Sequence, residues 1–164
     1  MRKLLHRHQP KPIPRAIVLA GIGSALGIAI LAAITQFGSI SLLIAPFGAS
    51  CVLLFSAHTS PLSQPINVVG GHFVSAVAGL LCQYILPGNF GMSGLAVGLA
   101  VMAMMALRVV HPPAGATALV AYVSATSWMF LFFPVLIGST ILVGLALVYH
   151  TVTDTPYPLG MPKL

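Results

Sequence analysis

Between residues 16 and 153 the chain carries one charged side chain, Arg108, and that scarcity of charge decides what it can fold into. A water-soluble domain has about a quarter of its residues charged. Here 5% are charged and 58% are hydrophobic over 164 residues, too few polar groups to cover a surface in water. The composition predicts an all-α integral membrane protein whose main partner is the lipid bilayer. Glu is absent, Asp154 is the one acid, and five of the seven Lys/Arg precede residue 16. The net charge of +6 therefore belongs to an N-terminal tail and not to a nucleic-acid-binding surface. Positive charge is retained on the cytoplasmic side of a membrane, which predicts a cytoplasmic N-terminus. The apolar run behind the tail is longer than a signal-peptide core, and no Ser or Thr precedes Ser24. Both features argue against a cleaved signal and an organelle transit peptide.

Residues 1–15 read as a basic tail, 16–150 as a transmembrane domain and 151–164 as a polar C-terminal tail. Six hydrophobic segments fall at 16–34, 39–57, 66–86, 91–110, 113–127 and 129–150. A hydrocarbon core of about 30 Å takes about 20 helical residues. Two of the segments are broken by similar sequences, Ala45-Pro46-Phe-Gly48-Ala49-Ser50 and Pro112-Pro113-Ala-Gly115-Ala116-Thr117. The likeness continues through Cys51–Phe55 against Ala118–Tyr122, which reads as a duplication with repeats at 16–86 and 91–150. If all six segments cross, the halves are inverted relative to each other. If the two broken ones re-enter, four cross and the halves are parallel. The length of 39–57 favours six.

Proline in a first helical turn costs nothing, since the first N–H groups lack intrahelical acceptors. Gly48, Ala49, Gly115 and Ala116 leave the neighbouring backbone uncovered, and Ser50 and Thr117 add hydroxyls. Helix N-termini carry partial positive charge and hold small anions. Paired broken helices hold anionic substrates in transporters. The plainer alternative is that each motif caps a short helix and lets others pack closely. Arg108 has no acid nearby in sequence; it is either an anion partner or a side chain reaching a membrane face. His111, ahead of Pro112, sits at the break itself. With His72 it reads as a packing residue or a proton-sensitive gate. Gln64 and Asn67 read as site amides or helix caps.

The histidines lack paired ligand spacing, so no metal is expected, nor any cofactor. Met102, Met104 and Met105 read as core, Cys51 and Cys82 as small residues in a lipid-facing or bundle setting and not a disulfide framework, and Trp128, Tyr149 and Tyr157 as interfacial anchors. No carboxylate stands where catalysis would need one and no nucleophile–base set is visible, so an enzyme is not expected.

Three ordered blocks resemble the HPP family of small integral membrane proteins, named for a tripeptide that is His111-Pro112-Pro113 here. They are Ala45–Ser50, Ser63–His72 and Ala106–Thr117. The resemblance implies transport of a small anion, nitrite first, in the inner membrane of a bacterium and foremost a cyanobacterium. The family often has a basic residue where Ile66 stands, a charge this chain lacks. Together, the reading is a small-anion transporter or channel, open to proton coupling. Its substrate-binding set is Pro46, Gly48, Ala49, Ser50, Asn67, His72, Arg108, His111, Pro112, Pro113, Gly115, Ala116 and Thr117. A neutral-solute channel for urea or ammonia and a structural subunit of a membrane complex are the alternatives. So few spans predict a homo-oligomer, with the Gly-rich first helix and the last helix (Gly138, Gly144) as candidate contacts.

Overall fold

A computed structural model describes residues 9–38, 40–86, 88–124 and 126–160. Arg2, Lys3 and Arg7 of the expected basic tail and the last four residues of the C-terminal tail lie outside them. Among the described residues all regular structure is helical: α1 (Pro14–Phe37), α2 (Ala45–Ser56), α3 (Pro65–Ile85), α4 (Ser93–Ala106), α5 (Pro112–Val123) and α6 (Ile137–Val152). Counting the irregular turns before α6, three helical stretches are long and apolar enough to span a bilayer: Pro14–Phe37, Pro65–Ile85 and Trp128–Val152. α2 and α5 have 12 residues each, or ~18 Å at 1.5 Å per residue. Neither spans the core as a helix alone.

Hydrogen bonds fix which helix ends lie together. Tyr149 Oη donates to the Leu19 carbonyl, joining the end of α6 to the start of α1 (2.9 Å). His150 Nε2 donates to the Leu54 carbonyl near the end of α2 (2.8 Å). Tyr157 Oη and the Leu159 N–H bond to the Ser63 carbonyl and to Gln64 Oε1, just ahead of α3. These ends form one pole of the bundle. At the other, Tyr122 Oη from the end of α5 donates to the Leu86 and Asn89 carbonyls, between α3 and α4. The chain therefore runs the length of the bundle six times in alternating directions. Two of those passes combine a non-helical lead-in with a 12-residue helix.

The lead-ins are pinned from outside. Thr35 Oγ1 accepts the Leu42 and Leu43 N–H groups (2.9 and 3.2 Å), and Asn67 Nδ2 donates to the Val110 carbonyl (3.0 Å). Asn67 is thus a tether and not the α3 cap; Gln64 holds that cap position without a capping side-chain bond. α4 ends with Arg108 in the left-handed region, φ 60°. There Val109 N–H reaches Met104 O (2.9 Å) and Arg108 N–H reaches Met105 O (3.1 Å), a closure that glycine usually makes. Before α6, Phe133 is extended ahead of Pro134, as the proline ring demands of its predecessor.

α1 packs on α2 and α6, α4 on α5 and α3, α2 on α6 and α5 on α3. α2 also meets α5, and α3 meets α6. The main core gathers Leu31, Phe47, Cys51, Leu54, Val68 and Leu142. Of the three methionines, Met104 alone is core; Met102 and Met105 face outward. Tyr157 is buried and not an interfacial anchor, whereas Trp128 is half exposed. Close approaches need glycine inside the protomer. A Cβ at Gly23 would strike Phe55, one at Gly138 would strike Phe47, and one at Gly79 would strike the Ala118 backbone. Gly23 and Gly138 are therefore committed to internal packing, while Gly21 and Gly144 face open space.

Gly79→Ala is expected to cost about 1–3 kcal/mol through overpacking of α3 on α5. Thermal unfolding in detergent should show a lowered midpoint for it and none for Gly94→Ala, whose new methyl meets nothing.

Candidate functional site

The starts of α2 and α5 are built alike. Each has an extended N-cap residue, Ile44 or His111, and proline in its first turn. In each a first-turn amide returns to the cap carbonyl: Phe47 N–H to Ile44 O (3.0 Å) and Ala114 N–H to His111 O (2.9 Å). Pro46 and Pro113 are buried, Pro112 exposed. Gly48, Ala49 and Ala116 lie on outward faces and Gly115 is half-buried. A Cβ at Gly48 or Gly115 would meet nothing within 4 Å. Ser50 and Thr117 point the other way, into the protein.

There they join the two interior histidines. Ser50, His72, His111 and Thr117 are each 0% exposed. Thr117 Oγ1 lies 2.7 Å from His72 Nδ1, and His72 Nε2 lies 2.8 Å from Ser50 Oγ. Ser50 Oγ lies 2.9 Å from His111 Nε2, and His111 Nδ1 lies 2.8 Å from the Leu62 carbonyl. The rings of His72 and His111 meet edge to face at 5.0 Å, and Phe47 closes on His72 at 5.2 Å. His72 stands seven residues into α3 and Ser50 six residues before the end of α2. Both therefore lie ~10 Å along the helices from the pole that holds the tails.

The protons follow from the acceptors. A carbonyl can only accept, so His111 Nδ1 carries a hydrogen for Leu62 O. In the neutral ring Nε2 is then an acceptor, and Ser50 must donate to it. The back-bond that a helical serine could make instead, to Pro46 O, is longer at 3.3 Å and gives way to the imidazole. With its one hydrogen spent, Ser50 accepts from His72 Nε2–H, so His72 Nδ1 is a bare acceptor and Thr117 donates to it. The chain thus has one direction, Thr117 to His72 to Ser50 to His111 to Leu62 O, and every donor in it is used. Among the described residues no donor reaches the Thr117 oxygen.

Of the residues the sequence pointed to, Ser50, His72, His111 and Thr117 come together, and Asn67 positions the non-helical segment that carries His111. Arg108 does not join them: its side chain is exposed, three residues before His111. Sequence reasoning missed the Leu62 carbonyl, for which a backbone atom leaves no signal. It also missed the Ser50–His111 pair. A serine donating to an imidazole that a carbonyl orients is the arrangement of an activated nucleophile. Here, however, Ser50 is fully enclosed, and its oxygen already accepts from His72. Among the described residues no group of three or more His, Cys, Asp or Glu is placed to hold a metal ion.

Residues 9–158 match the family described as HPP, transmembrane region. A transmembrane protein of Dictyostelium discoideum is 35% identical over 166 residues, covering 93% of this chain and 58% of that protein. A second transmembrane protein of the same organism is 36% identical over 151 residues, covering 84% of this chain and 49% of the relative. The chain spans about half the length of these curated relatives. No solved structure matches it.

In protein labelled with ¹⁵N-histidine, His72 should show the Nε2–H tautomer and His111 the Nδ1–H tautomer. The same tautomer at both would break the assigned direction. Ser50→Ala strands two ring nitrogens at about 1–3 kcal/mol each. Its unfolding midpoint should fall further than that of Ser56→Ala, which removes only an exposed helical back-bond.

Proposed function

The chain belongs to the HPP transmembrane family, and from that premise we propose that it is a membrane transporter or channel for a small inorganic anion, nitrite first, moved with a proton. The polarity of the buried chain carries the proposal. In its neutral form the chain offers an anion no donor. One proton added at His72 Nδ1 makes both ring nitrogens donors, so the Thr117 oxygen accepts and its O–H is released to bind an anion. The imidazolium supplies the countercharge, and one proton accompanies one anion. Nitrite, the base of a weak acid, suits a pathway through apolar surroundings, because its protonated form is neutral. The choice of nitrite itself rests on the family resemblance.

The helix pairing supports a duplicated arrangement. Exchanging α1, α2, α3 for α4, α5, α6 maps each of the helix pairs described above onto another of them or onto itself. α2 ends at one pole and α5 at the other, which fits halves that are inverted relative to each other. The outward small-residue edges at Gly48–Ala49 and Gly115–Ala116 fit a homo-oligomer in which a second copy or the pathway covers them. The pole with both tails is assigned to the cytoplasm on the charge of the N-terminal segment. Both relatives come from an amoeba, so residence in a bacterial or cyanobacterial inner membrane is carried by the sequence resemblance alone. Transport, and not catalysis, is the activity proposed.

The outward position of Arg108 favours a second reading, a channel for a neutral solute of the urea or ammonia kind. Arg108 holds a backbone conformation that costs a non-glycine residue about 1–3 kcal/mol. Arg108→Gly should therefore raise the unfolding midpoint while removing the charge.

The deciding measurement is nitrite uptake into liposomes holding the purified protein, at two internal pH values. Uptake should depend on the protein, rise with inward-directed acidity, and fall at least tenfold in Thr117→Val and His72→Gln but little in Thr117→Ser. Arg108→Gln should lower it under the anion reading and leave flux intact under the neutral-solute reading. A folded protein that gives no nitrite flux above empty liposomes ends the nitrite proposal.

A further inference from the structure

A second polar cluster lies at the tail pole, apart from the buried chain. The start of α1, the end of α2 and the end of α6 line a half-open cavity of about 190 Å³, where ~10–15 Å³ suffices for one water. Arg15, His58, Tyr149, His150, Thr153, Asp154 and Thr155 supply its polar lining. His150 is 3% exposed. Its Nε2–H is committed to Leu54 O at 2.8 Å, yet its Nδ1 is buried without a partner, and so is Nδ1 of His58. The two rings lie 4.9 Å apart. Buried polar atoms are nearly always paired, so two orphaned nitrogens beside a lined cavity point to something that occupies it.

We propose that this cavity is a proton-linked binding site for a small monovalent oxyanion, held by His150 Nδ1, His58 Nδ1 and the Arg15 guanidinium. The proton link follows from the Leu54 bond. Because Nε2 already carries the hydrogen of the neutral ring, Nδ1 can donate to an anion only after the ring takes up a proton. Binding therefore draws a proton from solvent, and no covalent bond changes. Among the described residues the titratable groups facing the pair are few. Arg15 comes from α1, Tyr149 from the end of α6 and Asp154 from just beyond it. Tyr157 packs on His150 at 5.1 Å, and burial raises its phenol above the usual value, so it stays neutral. Burial first, and then the neighbouring His150, hold His58 below the usual imidazole value. At pH 7 His58 is thus neutral when the cavity is empty. A neutral His58 can present Nδ1–H to the anion without a further proton, so His150 alone takes one up and binding tightens as pH falls. The choice of a small monovalent oxyanion rests on the transport reading above; the orphaned pair and its cavity do not.

The test is titration calorimetry of the full chain in detergent with sodium nitrite, at pH 6 and pH 7.5, in buffers of different ionisation enthalpy. The expected result is proton uptake approaching one per anion at pH 7.5 and affinity at least tenfold higher at pH 6. His150→Gln, whose amide can still donate to Leu54 O, should lose the proton uptake, and Arg15→Gln should weaken binding about tenfold. A ¹⁵N-histidine spectrum of the wild type gives a readout free of variants: nitrite at pH 7 should convert a ring that His150→Gln deletes into imidazolium. Ser50→Ala, which cuts the buried chain, should keep this binding even where it abolishes flux, so loss of transport and loss of this site are separate outcomes. Absence of nitrite binding, binding without proton uptake, or binding of nickel in place of nitrite at these histidines would each overturn the proposal.

Discussion

The hydrogen bond from His111 Nδ1 to the Leu62 carbonyl sets the state of everything behind it. A hydroxyl or an imidazole can reverse its role, but a carbonyl cannot. Anchoring the chain on Leu62 assigns one tautomer to each histidine and one orientation to each hydroxyl. It also ties four separate pieces of the fold together: the loop before α3, the first turn of α5, the middle of α2 and the middle of α3. Away from water, a network of this kind is strong when complete and costly when any member is missing. The surrounding packing keeps it complete. Gly71 lets α3 approach closely enough that a Cβ there would press on His111, Asn67 holds Val110, and Phe47 covers His72.

Much of the architecture was legible because a bilayer leaves so little freedom. Six apolar segments, their order and the two proline-led starts all follow from hydropathy and turn chemistry. The helix boundaries did not. The segment at 39–57 reads as one apolar run, whereas residues 41–44 are not helical, Ile44 is extended, and the helix covers only Ala45–Ser56. Nothing in an apolar composition separates an extended lead-in from a helical turn when Thr35, outside the run, does the pinning. The three methionines share a composition and differ in burial for the same reason: which face of α4 meets α3 is a tertiary fact.

The site was half legible. Ser50, Thr117, His72 and His111 are polar residues in apolar surroundings, and each had to find a partner. Their mutual arrangement was less visible, because His72 stands far in sequence from both motifs. Arg108 misled, since its charge is the loudest signal in the segment, yet it caps α4 from outside the cluster. The glycines misled in a different way. Their spacing next to Ser50 and Thr117 suggested uncovered backbone beside the hydroxyls, but an α-helix turns adjacent residues to different faces, and Gly48 looks away from Ser50. The His58–His150 pair left almost no trace, with two histidines 92 positions apart at the ends of different segments.

The fixed end of the buried chain has a consequence for bioenergetics. A hydrogen-bonded file conducts protons continuously only if every member can hand its proton forward and then turn over. His111 has no acceptor ahead of it that can take a proton, because an amide carbonyl does not become protonated at physiological pH. The file can therefore hold an added charge but cannot pass it end to end. Along this chain there is accordingly no through-route for protons, since the same atom that orders it also ends it.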